Sequence, residues 1–277
     1  MGMRINTNVA SLSAQRSLSV NKMNTDNNLR KLSSGERITR AADDAAGLAI
    51  SEKLKGHIRG IRQARRNADD GISLIQTAEG GLSEISSIII RLRELSVQAA
   101  SDTVGDTERG FSDIEFQQLK DEINRISKGM EFNGRKLLDG SGGRVEVQVG
   151  IHNDPTQDRI AYDSTLTDAT LVALGLHVET IASKEGAQLS LEKLDNALVR
   201  VNGVRANLGA LQNRLQSTTN NLLVTDENFS AANSRIRDVD VAAETADLAR
   251  NNILNQASVS VLSQANNAPQ FALKLLS

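Results

Sequence analysis

The stretch Ile61–Ala99, IRQARRNADDGISLIQTAEGGLSEISSIIIRLRELSVQA, decides the fold. Its apolar or small residues fall at alternating steps of three and four: Ile61, Ala64, Ala68, Gly71, Ile75, Ala78, Leu82, Ile85, Ile89, Leu92, Ser96 and Ala99. Such steps average about 3.5 residues, the period of a coiled-coil seam. The second half of the chain repeats the pattern at Leu194, Ala197, Val201, Val204, Leu208, Leu211, Leu215, Thr218, Leu222, Thr225, Phe229, Ala232 and Ile236. Roughly six heptads in each half exceeds an ordinary globular helix. At about 1.5 Å per residue, a helix from near Ala45 to Ala100 would measure roughly 80 Å. The expected fold class is mainly α, an elongated antiparallel helical bundle or coiled coil with a small β-hairpin insert.

Composition agrees with thin helix–helix seams. Of 277 residues, 39% are hydrophobic and only 2% aromatic, with no Trp. A core of Leu, Ile, Val and Ala lets helices approach closely. Five glycines, Gly56, Gly60, Gly71, Gly80 and Gly81, fall inside the first long helical pattern. Each costs about 1 kcal/mol against Ala there, so packing against partners accounts for these helices better than intrinsic propensity. A net charge of −2 favours neither nucleic acid nor a membrane surface. No apolar run approaches a membrane span, and the N-terminus has no hydrophobic signal segment. The absence of Cys excludes disulfides and thiolate chemistry.

Read along the chain, residues 4–33 form a weakly amphipathic helix around Ile5, Val9, Leu12, Val20, Met23, Leu29 and Leu32, broken at Ser33-Ser34-Gly35. An Ala-rich segment, 41–47, leads into the long helix, which stops near Ser101–Gly105. A shorter helix runs from about Asp106 to Lys128, with Phe116, Leu119, Ile123, Ile126 and Met130 on one face. Asn133-Gly134 signals a turn. The period then drops to two at Val145, Val147 and Val149, a strand, and Arg159–Tyr162 can pair back as a hairpin. Residues 163–186 are mixed. The second long helix spans about Leu189 to Phe229, and a final Ala-, Asn- and Ser-rich helix runs from Val239 to Gln264, ended by Pro269.

Several of these segments resemble bacterial flagellin. They are Arg4-Ile-Asn-Thr-Asn8, Leu32–Gly35 with Ile38, Ala41–Ile50, Gln63–Asp70 followed by Gly71–Gly80, Arg93–Gln98, Phe132–Gly134, Ala231–Asp240, Glu244, and Gln264-Ala-Asn266. Many flagellins carry far more chain between the second and third helices; here about 50 residues separate Leu138 from Ala187. The resemblance therefore implies a short flagellin. Residues 1–44 and 235–277 would be a discontinuous inner-core domain, and 45–234 a rod-like helical domain with its β insert at about 138–186. It implies a subunit of the flagellar filament, secreted unfolded through the flagellar export apparatus and assembling with copies of itself, without catalysis or cofactor. It implies further partners: cap and hook-junction proteins, an export chaperone at the C-terminal helix, and the flagellin-sensing Toll-like receptor. The competing readings are a hook–filament junction protein and, from another class, an enzyme or ligand-binding module with the insert as its site. That insert lacks converging polar side chains.

The terminal helices carry small and polar residues where a self-sufficient helix would carry Leu. In a lone copy they bury too little to offset ordering, whereas a second copy changes the balance. Head-to-tail contacts that do not close give a fibre. Arg59, Arg62, Arg65 and Arg66 form a charged helix face suited to carboxylates rather than a nucleic-acid reader. His57, His152 and His177 are too scattered for a metal site. Asp43-Asp44 complements the start of the long helix. Arg91 and Leu95, four apart, share a helix face off the seam and are expected to point away from the core. With Glu122 they match the residue types that the receptor docks on in related flagellins, and they are the candidate subunit-contact or receptor face.

Overall fold

The computed structural model describes the backbone of residues 7–276 and the side chains of residues 7–268. Residues 4–6 of the expected first helix, Ile5 among them, lie outside the described residues. Helix α1 spans Val9–Ser34, α2 Ala45–Ala99 and α3 Asp106–Gly129. Strand β1 (Glu131–Phe132) pairs antiparallel with β2 (Arg135–Lys136), and β3 (Arg144–Gln148) with β4 (Arg159–Asp163). A short helix α4 (Leu171–Leu174) precedes α5 (Lys184–Arg237) and α6 (Val241–Leu276). The chain divides into two compact units, one of Met1–Gly56 with Asn228–Ser277, the other of His57–Glu227.

In the second unit, every member of the Ile61–Ala99 stripe is buried. It faces α5, which runs antiparallel. Arg93 pairs with Asp195 at 2.7 Å, Arg205 with Glu79 at 3.6 Å, and Arg62 with Asp226 at 3.0 Å. On α5, Leu194, Ala197, Val201, Val204, Leu208, Leu215 and Leu222 are buried as the pattern requires. Thr219 rather than Thr218 completes the row, because α5 drifts relative to a strict heptad. Helix α3 covers a second flank of α2 with Phe116 and Ile123.

Three of the helical glycines have a purpose here. A Cβ on Gly60 would stand 3.0 Å from Ile151 Cγ2, one on Gly71 3.1 Å from Val147 Cγ2, and one on Gly81 2.8 Å from Leu138 Cδ1. These positions seat the β segment along α2. Asn67 adds a hydrogen bond from its amide nitrogen to the Gln148 carbonyl, 3.0 Å. The β1–β2 turn places Asn133 at φ 50° and Gly134 at φ 76°, both in the left-handed region that two-residue hairpins need. Tyr162, buried under the hairpin, donates to the Leu137 carbonyl at 2.6 Å, and burial raises its pKa.

Helix ends follow local chemistry. Asn8 caps α1 by accepting from Ser11 N at 3.0 Å, and Asp44 caps α2 by accepting from Gly47 N at 2.8 Å. Asp240 accepts from Ala242 N and Ala243 N at the start of α6. Arg109, buried, closes the other end of α2 by donating to the carbonyls of Ala99 and Ser101 at 2.8 and 2.9 Å. Two expected ends are corrected. Helix α5 begins at Lys184 and continues to Arg237, well past Phe229. Ser183 caps its start, accepting from Gly186 N at 3.1 Å, and no Pro falls between there and Arg237. Helix α6 does not stop at Pro269 but runs on to Leu276. Proline fixes a helix-compatible φ but removes one donor and crowds the carbonyl four residues back, so α6 carries a strained turn there rather than an end.

In the first unit, the connectors on either side of the terminal helices clasp each other. Arg37 N donates to the Arg237 carbonyl at 2.6 Å and Val239 N to the Gly35 carbonyl at 3.0 Å. The Arg237 guanidinium lies between Glu36, at 2.8 Å, and Glu52. Those carboxylates, Glu52 first, raise its pKa.

Candidate self-assembly surface

The α1–α6 pair is built inside out. Where the two helices meet, the buried Ala14 and the half-buried Leu18, Leu248 and Leu262 are interleaved with polar contacts. Ser11 Oγ bonds to Asn266 Oδ1 at 2.7 Å, Asn21 Nδ2 to Ser258 Oγ at 3.0 Å, and Asn255 Nδ2 to Thr25 Oγ1 at 2.8 Å. Lys31 faces Glu244 at 3.6 Å. Ser11 is 8% exposed and Asn28 7%, whereas Val9 is 65% exposed and Ile253 66%. Leu12, Met23 and Leu29 on α1, with Leu254, Val259 and Val261 on α6, also face outward. Among the described residues of α6 none is buried. Water-facing apolar rows of this extent on a paired helix mark a surface that another molecule covers.

The candidate face at Arg91, Leu95 and Glu122 comes out differently from the sequence expectation. Arg91 is exposed and shared between Glu94, 3.0 Å, and Glu115 of α3, 2.9 Å; the Glu115 hydrogen bond is the main reason its pKa is raised. Glu122 is half-buried and is held by Arg125 at 2.5 Å, which lowers its pKa. Leu95 does not point away from the core. It is only 3% exposed, because α3 and α5 together cover a wider sector of α2 than a two-helix seam would. The structure thus leaves Arg91 and Glu122 at the surface, each already paired, and takes Leu95 inside.

The remaining sequence candidates have structural employment. Arg62 meets Asp226 rather than Asp69 or Asp70, and Arg66 donates to Gln63. Asp43 accepts from Thr39 N, Thr39 Oγ1 and Arg40 N, and these bonds, that from Arg40 first, lower its pKa. His57 and His152 meet edge to face with centroids 6.1 Å apart. Among the described residues no group of three or more His, Asp or Glu could hold a metal, and no helix is long and apolar enough to cross a membrane. Sequence reasoning missed Lys120, buried on α3. Its ammonium donates to the carbonyls of Glu179, 2.7 Å, and His177, 3.4 Å, and burial lowers its pKa. The only available signal was a Lys on the apolar face, four residues after Phe116.

Residues 5–142 match the bacterial flagellin N-terminal helical region, and residues 191–276 match the bacterial flagellin C-terminal helical region. The chain belongs to the bacterial flagellin family. Flagellin of Halalkalibacterium halodurans is 47% identical over 99% of this chain and 100% of that protein. Flagellin of Bacillus subtilis is 44% identical, and the flagellar filament 30.7 kDa core protein of Treponema maltophilum 42%, each over 99% of this chain and the whole of the relative. The crystal structure of Bacillus cereus flagellin superposes with a TM-score of 0.51 at 32% identity, covering 57% of this chain and 88% of that one. This flagellin is accordingly a structural subunit of the bacterial flagellar filament, located in the flagellum, and it assembles with copies of itself.

Proposed function

We propose that the outward apolar faces of α1 and α6 are the surfaces through which one subunit docks on the next. In this reading residues 1–44 and 235–277 act as the inner-core domain of the filament and residues 45–234 as its outer helical layer. The observation that carries it is the inverted polarity of the terminal pair, with Asn28 inside and Ile253 outside. Assembly removes Val9, Leu12, Met23 and Ile253 from water, a gain of about 1.5–3 kcal/mol for each fully buried side chain, set against the entropy of ordering. The subunit performs no catalysis. It leaves the cell unfolded through the flagellar export apparatus, chaperoned at its C-terminal helix, and adds at the tip beneath the cap protein, with the junction proteins below it. The exposed Arg91 and the half-buried Glu122 serve subunit contacts and the flagellin-sensing Toll-like receptor. Seeding purified protein with filament fragments tests the reading. Long filaments in the electron microscope are expected; a chain that never elongates on seeds contradicts it and fits a hook–filament junction protein instead.

A further inference from the structure

Proline at position 269 leaves α6 one backbone donor short. In an α-helix the N–H of residue 269 would bond to the carbonyl of Ala265, and proline has none. That carbonyl is nevertheless occupied. Asn8 Nδ2 donates to it at 2.7 Å from the facing helix. The other end of the same amide is also in use, since Asn8 Oδ1 accepts from Ser11 N at 3.0 Å as the N-cap of α1. One turn on, Ser11 Oγ reaches Asn266 Oδ1. We infer that Asn8 and Pro269 form a matched clamp: the proline frees a single carbonyl on α6, and the N-cap asparagine of α1 fills it, which fixes the register of one terminal helix against the other.

A register device has a use here because few large apolar side chains are fully buried between α1 and α6. The other polar contacts, Ser11 to Asn266, Asn21 to Ser258 and Asn255 to Thr25, join side chains that can rotate to alternative partners. A carbonyl freed by proline occurs once on α6, because Pro269 is the helix's only proline. A buried polar pair that fixes alignment at a cost in stability is an established use of asparagine between helices. Asn8 is suited to it because its amide holds both an acceptor for the cap and a donor for the carbonyl.

The clamp predicts a coupling rather than a simple loss. Asn8→Ser keeps a good N-cap but removes the donor. Pro269→Ala restores the N–H that satisfies Ala265 from within α6. Amide exchange at residues 9–16 and 258–268 is compared, by mass spectrometry, in the full-length wild type, both single variants and the double variant. All four are compared in one and the same state, as soluble protein and again as seeded polymer where it forms, so failure to elongate is scored separately from failure of the clamp. N8S in the wild-type background is expected to speed exchange about fivefold, the loss of one ordinary hydrogen bond. In the P269A background it is expected to change exchange little. Equal acceleration in both backgrounds, or none in the wild type, overturns the inference.

Discussion

At the scale of single residues, burial rather than sequence position decides what a side chain can do. Leu95 and Arg91 sit one helical turn apart, yet one is packed under α3 and α5 while the other is solvated and ion-paired. Leu95→Ala is therefore expected to cost about 2–5 kcal/mol of stability, the range for emptying a core leucine. Arg91→Ala is expected to change stability by less than about 0.5 kcal/mol. Chemical denaturation of both variants checks the contrast, and equal effects would contradict the packing described. The sequence pattern located the seam but not this leucine, because a 3.5-residue stripe describes contact with one partner helix and α2 has two. Asp43 offers a pH test. Its carboxylate holds three donors of the 39–40 turn, so its pKa is lower in the folded chain than in the unfolded one. That contribution is present above the unfolded value of about 3.9 and fades as pH falls through the depressed folded value. Asp43→Asn should flatten this part of the acid limb of a stability–pH profile; an unaltered limb would contradict the assignment.

At the scale of elements, the glycines of α2 separate into two kinds. Gly60, Gly71 and Gly81 seat Ile151, Val147 and Leu138, whereas a Cβ on Gly80 would meet nothing within 4 Å. Gly80→Ala is expected to stabilise the chain by about 0.5–1 kcal/mol, and a lower melting temperature would count against it. Gly142→Ala is expected to do the reverse, because its Cβ would stand 1.9 Å from the Lys136 carbonyl oxygen, a backbone atom that cannot rotate away. Element identity was legible from periodicity and turn chemistry: α2, α3, the Asn-Gly turn and the β3–β4 pair lie close to where the pattern put them, whereas the short β1–β2 pair around that turn was not anticipated. Element ends were less so. The extension of α5 depends on the Ser183 cap, and the passage of α6 through Pro269 depends on a donor from the far end of the sequence. No local window contains that second contact. Arg109 and Lys120 escaped notice for a related reason: buried cations become intelligible only once the carbonyls they close are in place.

At the scale of the whole molecule, the two units follow opposite rules. The unit of His57–Glu227 buries its apolar stripes internally, with Leu82, Ile85, Ile89 and Leu92 wholly inside. The unit holding the chain ends turns its apolar rows to solvent and joins α1 to α6 through polar side chains. A chain with this division keeps a self-sufficient part and an unfinished part, and further copies finish the second. Aspartate at Leu12 or Ile253 is therefore expected to stop seeded elongation while leaving the main thermal transition of the full-length chain in place. Loss of that transition, or elongation at the wild-type rate, would contradict the separation of roles. The most direct measurement is hydroxyl-radical footprinting of the chain before and after elongation on seeds. The account predicts that Leu12, Met23 and Ile253 lose most of their reactivity in the polymer, while core residues such as Ile89 are protected in both states. Undiminished reactivity at those three positions in fully formed filaments would contradict it.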